Sequence, residues 1–93
     1  MRLSHLAIIK TNFPGADFWL IRKGSSSKVG KPVKVFNKEH IGIKVDSPAL
    51  NSNYLYYCML HIYTEGYWVN RCYGTLLLQH IKVEDVKNIE TSN

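Results

Sequence analysis

Basic residues are concentrated in one stretch of the chain, between positions 22 and 44. They are Arg22, Lys23, Lys28, Lys31, Lys34, Lys38 and Lys44. One acid, Glu39, opposes these seven cations, so the stretch carries a net charge of +6, whereas the other 70 residues carry five basic and six acidic groups. Concentrated positive potential attracts polyanions and speeds their association. The pattern favours a phosphate backbone or an anionic membrane surface as the partner.

The segment from Gly24 to Lys31 is rich in glycine, serine and lysine, a composition that can wrap backbone N–H groups around an anion. The spacing is not that of a nucleotide-binding P-loop, because five residues separate the glycines and Lys31 is followed by Pro32. A DNA backbone phosphate needs less exact geometry, since hydroxyls, amides and lysines all bind it. Two interpretations stay open: a loop that contacts phosphate and a solvated basic turn.

Catalytic chemistry has weak support, because no recognised spacing brings a nucleophile, a base and an orienting group together. The four histidines are scattered, and Cys58 and Cys72 lack metal-ligand spacing. A small metal-dependent nuclease would need convergent carboxylates. Its candidates, Asp17, Glu39, Glu65 and Asp85, are spread along the chain. We therefore expect no enzymatic activity, no metal and no other cofactor, with both cysteines as reduced thiols.

Length and composition predict one globular domain over residues 1–93. Charged residues make up 20% and apolar residues 45% of the chain, as in ordinary soluble proteins. The first ten residues do not form a secretory signal, and no apolar run approaches the ~20 residues of a membrane span. We expect a cytoplasmic protein that has no membrane segment.

The predicted fold is α+β, a small, mostly antiparallel, curved sheet with one main helix at about 52–65. The predicted strands are 17–22, 33–36, 41–45 and 76–78. Segments 33–36 and 41–45 alternate apolar with polar residues, which predicts a pair of strands joined through 37–40 with Lys34 and Lys44 on the polar face. The apolar segment 3–9 fits a strand or a short helix equally well.

The main helix has the clearest pattern. Leu55, Met59, Ile62 and Tyr63 recur at i, i+4, i+7 and i+8, the spacing that gathers side chains on one helical face. A capping residue is expected within 51–53, and Gly66 is expected to end the helix. A further helical turn is predicted at 83–86, and 91–93 is predicted to be a frayed tail.

Aromatic residues allow two interpretations. Phe18, Trp19, Phe36 and Trp68 could stack on nucleic-acid bases, but strand and loop aromatics of a small domain usually fill its core, which we favour. Tyr54, Tyr56 and Tyr57 occupy adjacent faces of the helix, so some of them must be exposed or cover a partner. These three tyrosines form the predicted protein interface.

A series of motifs runs from Asp17 to Ile89 and covers roughly three quarters of the chain. It comprises Arg22-Lys23-Gly24-Ser25 with Val29-Gly30-Lys31, Ile41-Gly42-Ile43-Lys44-Val45, Tyr54-Leu55-Tyr56-Tyr57, Gly74-Thr75, and Ile81 with Val83 to Ile89. This order resembles the later portion of target recognition domains in type I restriction-modification specificity subunits and related methyltransferases. One departure is the run Leu76 to Leu78, where the family often carries polar residues.

The resemblance implies a shortened, stand-alone DNA-recognition module of phage, plasmid or bacterial type, without modification or cleavage chemistry of its own. Lysines would set affinity and register on the duplex, whereas Arg22, Arg71, Gln79 or Asn70 are suited to reading base edges. The predicted DNA contacts are Arg22, Lys23, Ser25, Ser26, Lys28, Lys31, Lys34, Lys44, Arg71, Thr75 and Gln79, with double-stranded DNA favoured. The alternative is a protein-interaction module, either an accessory subunit or inhibitor of a DNA-processing complex or a homodimer, that uses the tyrosine helix.

Overall fold

The computed structural model describes residues 1–75 and 77–91. It confirms the predicted α+β class, with antiparallel strands and one main helix, but the strands form two sheets instead of one. After a 3-10 helix at Leu3–His5, the elements are β1 (Ala7–Thr11), β2 (Phe18–Leu20), β3 (Lys23–Gly24), β4 (Pro32–Val33), β5 (Ile41–Val45), α1 (Ser52–Thr64), β6 (Tyr73–Gly74), β7 (Gln79–His80) and α2 (Val83–Lys87). The 3–9 segment thus contains both a short helix and the start of a strand.

The first sheet has four antiparallel strands in the order β1-β5-β2-β4. Its centre is Ile43, which pairs with Ile9 on one side and Phe18 on the other and is fully buried. The predicted hairpin between 33–36 and 41–45 is wrong, because β2 lies between β4 and β5. All three residues of β2 are buried, so it occupies the interior position. Pro32 lacks an N–H and suits the edge strand β4.

The second sheet has three very short strands in the order β3-β7-β6. Lys23 lies opposite His80, which lies opposite Tyr73. The predicted strand at 76–78 is wrong for its last two residues, since Leu77 and Leu78 lie in the turn before β7. Leu76 lies outside the described residues. Three consecutive leucines cannot alternate between a buried and a polar face, which is why the pattern was misleading.

Helix α1 confirms the predicted main helix. The Oδ1 atom of Asn51 accepts a hydrogen bond from the Tyr54 N–H at 3.1 Å, which caps the first turn. Leu55 and Met59 are buried in the core, and Gly66 follows the helix with a φ of 82°. No Asp, Glu, Lys or Arg occurs between Ser52 and Thr64.

The two ends of the described chain lie side by side. The Leu3 N–H donates to the Ile89 carbonyl at 2.8 Å, and the Thr91 N–H donates to the Met1 carbonyl at 2.8 Å. The predicted helical turn at 83–86 is confirmed as α2, whose Val86 is fully buried. The prediction of a frayed tail is wrong for Thr91, because backbone pairing holds it; residues 92 and 93 lie outside the described residues.

Buried side chains form one cluster that joins the inner face of the first sheet to α1, α2 and the 67–68 turn. Phe18, Trp19 and Trp68 are buried, so the core interpretation of these aromatics is confirmed. The core interpretation is wrong for Phe36, which is exposed and packs edge-on against Trp19 with ring centroids 5.9 Å apart. Within 1–75 and 77–91, no helix has the length and apolar character that a bilayer crossing requires.

Candidate nucleic-acid interface

The segment from Arg22 to Lys31, called the basic loop below, is anchored to the body of the protein at its C-terminal end. Val29 is buried, and the Gly30 N–H donates to the Ile21 carbonyl at 2.8 Å. Gly30 has a φ of 88°, and its backbone lies so close to the Trp68 side chain that a Cβ at this position would overlap the indole ring. The loop is therefore held by packing and by backbone geometry that glycine alone adopts easily.

The middle of the basic loop is also fixed. The Tyr63 hydroxyl, at the end of α1, donates to the carbonyl of Ser27. The Ser25 and Ser27 hydroxyls are hydrogen-bonded to each other at 3.1 Å, whereas Ser26 is exposed. The Lys28 N–H donates to the Ser25 carbonyl at 2.9 Å. The loop thus presents its lysines from an ordered turn.

Three lysines of the basic loop are exposed: Lys23, Lys28 and Lys31. The Lys28 Cβ lies 3.9 Å from the position that a Cβ at Gly24 would occupy. Lys28 is therefore close to Gly24, the residue that follows Lys23. Among the residues that the structure describes, no carboxylate forms an ion pair with any of the three. Their charge is therefore available to an anionic partner.

An open groove, called the basic groove below, lies between the second sheet and the basic loop. It has a volume of about 410 Å³ and is lined by Arg22, Lys23, Leu78, Gln79 and His80. Sequence positions more than 50 residues apart meet here through the pairing of Lys23 with His80 and of Gly24 with Gln79. Gln79 and Lys23, both predicted DNA contacts, are thus brought together.

Arg22 is mainly engaged within the protein. Its Nε donates to the Glu39 carbonyl at 2.8 Å, and its terminal NH2 group donates to the Glu39 Oε2 at 3.0 Å. Only 24% of its side chain is exposed. The guanidinium therefore holds the 37–40 turn in place, and base reading would require it to leave this carboxylate.

Lys34 and Lys44 do not share the polar face that the sequence predicts. The Lys34 Nζ lies 4.6 Å from the centroid of the Tyr56 ring, on α1. The Lys44 Nζ instead lies 4.0 Å from Asp17 Oδ1, on a strand position opposite Ile8. The prediction of a shared face is wrong for two reasons: β4 ends at Val33, so Lys34 lies outside the strand, and β4 and β5 are not neighbours in the sheet.

Arg71 and Thr75 make local contacts. The Arg71 guanidinium stacks 4.0 Å from the Tyr67 ring centroid and donates to the Tyr67 carbonyl at 2.8 Å. Asn70 is exposed in the same turn. The Thr75 hydroxyl accepts the Leu78 N–H at 3.3 Å and closes the turn between β6 and β7. Arg71 lines a different groove from Gln79, so these two predicted base readers are not brought together.

One cluster was missed by sequence reasoning: Tyr73, His80 and Lys82. The rings of Tyr73 and His80 lie 5.5 Å apart at 30°, and the Lys82 Nζ lies 4.2 Å from the Tyr73 centroid. With Lys23 opposite His80, these groups put two aromatic rings and two cations on one face of the second sheet. Strands of two residues have no readable period, and only the flanking Gly74-Thr75 turn signalled a hairpin here.

The three tyrosines of the predicted protein interface separate into two groups. Tyr54 and Tyr57 are exposed, and they line an open apolar groove with Cys58, His61 and Ile62. Tyr56 faces the core instead: its ring packs edge-on against Phe18, and its hydroxyl donates to the Pro32 carbonyl at 3.5 Å. Tyr56 is therefore not part of the exposed tyrosine face.

The four candidate carboxylates have separate local roles. Asp17 Oδ2 accepts the Val45 N–H at 2.8 Å, and Asp85 Oδ2 accepts the Lys82 N–H at 3.2 Å. Glu39 binds Arg22, and Glu65 ends α1. No group of three His, Cys, Asp or Glu side chains that could hold a metal ion occurs among the described residues. These carboxylates therefore do not converge.

His40 lies beside Arg22 at the end of the 37–40 turn. Its Nδ1 is buried and has no hydrogen-bond partner among the described residues. Burial lowers the pKa of His40 below its ordinary value of 6.5, and the charge of Arg22 lowers it further, while Glu39 raises it. The lowered pKa favours the neutral form of the imidazole.

No family model, curated protein or solved structure matches this chain. The resemblance to target recognition domains therefore stays a hypothesis that depends on the quoted motifs alone.

Proposed function

We propose that this chain is a small DNA-binding protein that contacts duplex DNA through the basic loop and the second sheet, in the manner of a shortened target recognition domain. The observation that carries the proposal is a set of three exposed lysines on an anchored loop, beside a groove lined by Arg22, Gln79 and His80. Within residues 1–75 and 77–91 these lysines have no ion-pair partner. The proposal includes a cytoplasmic location and no catalysis or cofactor of its own.

Lysines on an ordered loop suit phosphate binding for two reasons. Each lysine that contacts a phosphate releases condensed counterions, which favours association at low salt. Because packing on Trp68 and the bond from Tyr63 already fix the loop, little backbone freedom is lost on binding. Gln79 lines the groove beside these lysines, and its amide is chemically able to pair with adenine.

The test is the salt dependence of binding to random duplex DNA, compared between two triple variants of equal charge. In the first, Lys23, Lys28 and Lys31 are replaced by Ala. In the matched control, Arg2, Lys10 and Lys87, which lie outside the basic loop and are not among the predicted DNA contacts, are replaced by Ala. We expect the first variant to reduce the slope of log K against log salt by about 2 to 3, because each phosphate contact contributes ~0.9.

The control variant is expected to keep a slope close to that of the unmodified protein. Equal slopes for the two variants would show that net charge, and not the basic loop, determines binding. Absence of salt-dependent binding to duplex, single-stranded DNA and RNA would remove the proposal altogether.

A second candidate function is a protein interface on α1, as an accessory subunit, inhibitor or homodimer. The specific observation is the absence of Asp, Glu, Lys and Arg from α1 together with the exposure of Tyr54 and Tyr57, because interface cores are enriched in tyrosine and depleted of charge. Light scattering on the unmodified protein and on Tyr57→Ala tests the homodimer. A monomer at all concentrations in both would exclude it and leave only a different partner for this face.

A further inference from the structure

The turn between β6 and β7 projects two leucines into solvent. Leu77 is 88% exposed and Leu78 is 65% exposed. Both side chains leave apolar surface in contact with water, and a partner that covered them would remove that surface from water.

Contacts between the described residues on either side of position 76 fix the position of Leu78. The Thr75 hydroxyl accepts the Leu78 N–H at 3.3 Å, and Gly74 pairs with Gln79 at the base of the turn. Gly74 has a φ of 101°, and a Cβ there would overlap the Leu78 carbonyl oxygen. These contacts hold the backbone of Leu78 close to Gly74 and Thr75.

The chemistry beside the leucines is cationic and polar. Leu78 lines the basic groove together with Arg22, Lys23, Gln79 and His80. The Lys28 side chain begins beside Gly24, which pairs with Gln79. An apolar projection with cations beside it is complementary to the stacked bases and flanking phosphates of a duplex.

We propose that Leu77 and Leu78 form an apolar wedge that enters the minor groove of duplex DNA and partly unstacks a base step, while the lysines of the basic loop bind the adjacent phosphates. This inference rests on the proposed DNA-binding function. Apolar side chains inserted between base steps kink the duplex and allow it to contact more of the protein. A bilayer is a poorer occupant, because two leucines bury less hydrocarbon than a single acyl chain, which itself binds membranes only marginally.

The test uses a duplex that contains a fluorescent adenine analogue whose emission rises when it is unstacked. The unmodified protein is expected to raise the emission on binding. Leu77→Ser is expected to weaken binding by about tenfold and to abolish the emission change. It is also expected to leave the salt slope unchanged, because no cation is lost. Leu77→Met, which keeps an apolar side chain, is expected to retain both affinity and signal.

Ile8→Thr is the matched control, because Ile8 is an exposed apolar residue on the edge strand of the first sheet. It is expected to bind as the unmodified protein does. Thermal melting of each variant checks that the fold is retained, which the exposure of both positions favours.

Three outcomes would overturn the wedge, and they are distinguishable. Salt-dependent binding with no emission change and no effect of Leu77→Ser would leave the proposed function intact and remove the wedge. Absence of salt-dependent binding would remove both. Binding to vesicles of phosphatidylserine and phosphatidylcholine that is lost in Leu77→Ser, without an emission change on DNA, would assign the leucines to a membrane surface.

Discussion

The two sheets of this protein are built in opposite ways. In the first, β5 pairs along five residues with β1 and along three with β2, and its Ile41 and Ile43 are fully buried. In the second, β3, β6 and β7 have two residues each, and none of these six residues is buried. Burial specifies the first sheet, whereas turns and local hydrogen bonds specify the second.

This difference separates stability from binding. Burial of apolar side chains is the main favourable contribution to folding, so substitutions in the first sheet act on the whole fold. Substitutions of the exposed residues in the second sheet and the basic loop leave the core intact, so they act mainly on whatever binds there. A partner surface can therefore change in sequence without loss of the fold.

The largest expected effect is on the core. Phe18→Ala removes a buried ring that contacts Tyr56, and it is expected to lower the free energy of unfolding by about 3 to 5 kcal/mol. Leu77→Ala, in the exposed turn, is the matched control and is expected to change it by less than ~0.5 kcal/mol. Urea denaturation measures both, and a comparable loss in the two variants would contradict the separation of the two regions.

The next effect concerns the point where the basic loop meets the core. Gly30→Ala places a Cβ into the Trp68 ring at a positive φ, and we expect a loss of about 3 kcal/mol from overpacking and backbone strain. Gly15→Ala is the control, because its added Cβ would make an ordinary contact 3.8 Å from the Phe13 ring. Equal melting temperatures for the two variants would mean that Trp68 does not anchor the loop.

A smaller effect is expected at the start of α1. Asn51→Ala removes the hydrogen bond to the Tyr54 N–H and is expected to cost about 1 kcal/mol. Asn53→Ala lies two residues further on, where the structure records no capping bond, and is expected to be nearly neutral. Denaturation midpoints that move equally would place the cap elsewhere.

The smallest effect is a pH dependence from His40. The pKa of His40 in the folded protein lies below 6.5, so the unfolded state binds more protons. The contribution of His40 to stability is therefore fully present above pH 6.5 and is lost as the pH falls through the lowered pKa. The melting temperature of the unmodified protein is therefore expected to approach that of His40→Gln as the pH falls from 7 to 5. A constant difference across this range would show that burial does not disfavour the imidazolium.

Sequence patterns predicted α1 well, because its apolar period, the Asn51 cap and Gly66 all act over a few residues. They did not predict strand order, since placing β2 between β4 and β5 depends on contacts far apart in the chain. The pairing of β3 with β7, which brings Lys23 close to Gln79 and His80, could not be predicted either, because strands of two residues have no apolar period. The sequence therefore indicated which residues could contact DNA, but not which of them lie together. That Lys34 contacts Tyr56 while Lys44 lies beside Asp17 could be known only from the fold.

The most direct test of the central claim is a magnetic-resonance titration of isotope-labelled protein with random duplex DNA. The basic loop and the second sheet are proposed to bind, so the backbone amides of residues 22–31 and 77–80 are expected to shift. Those of Tyr54, Tyr57 and His61 on α1 are expected to stay unchanged. Shifts confined to α1, or none at all, would contradict the account.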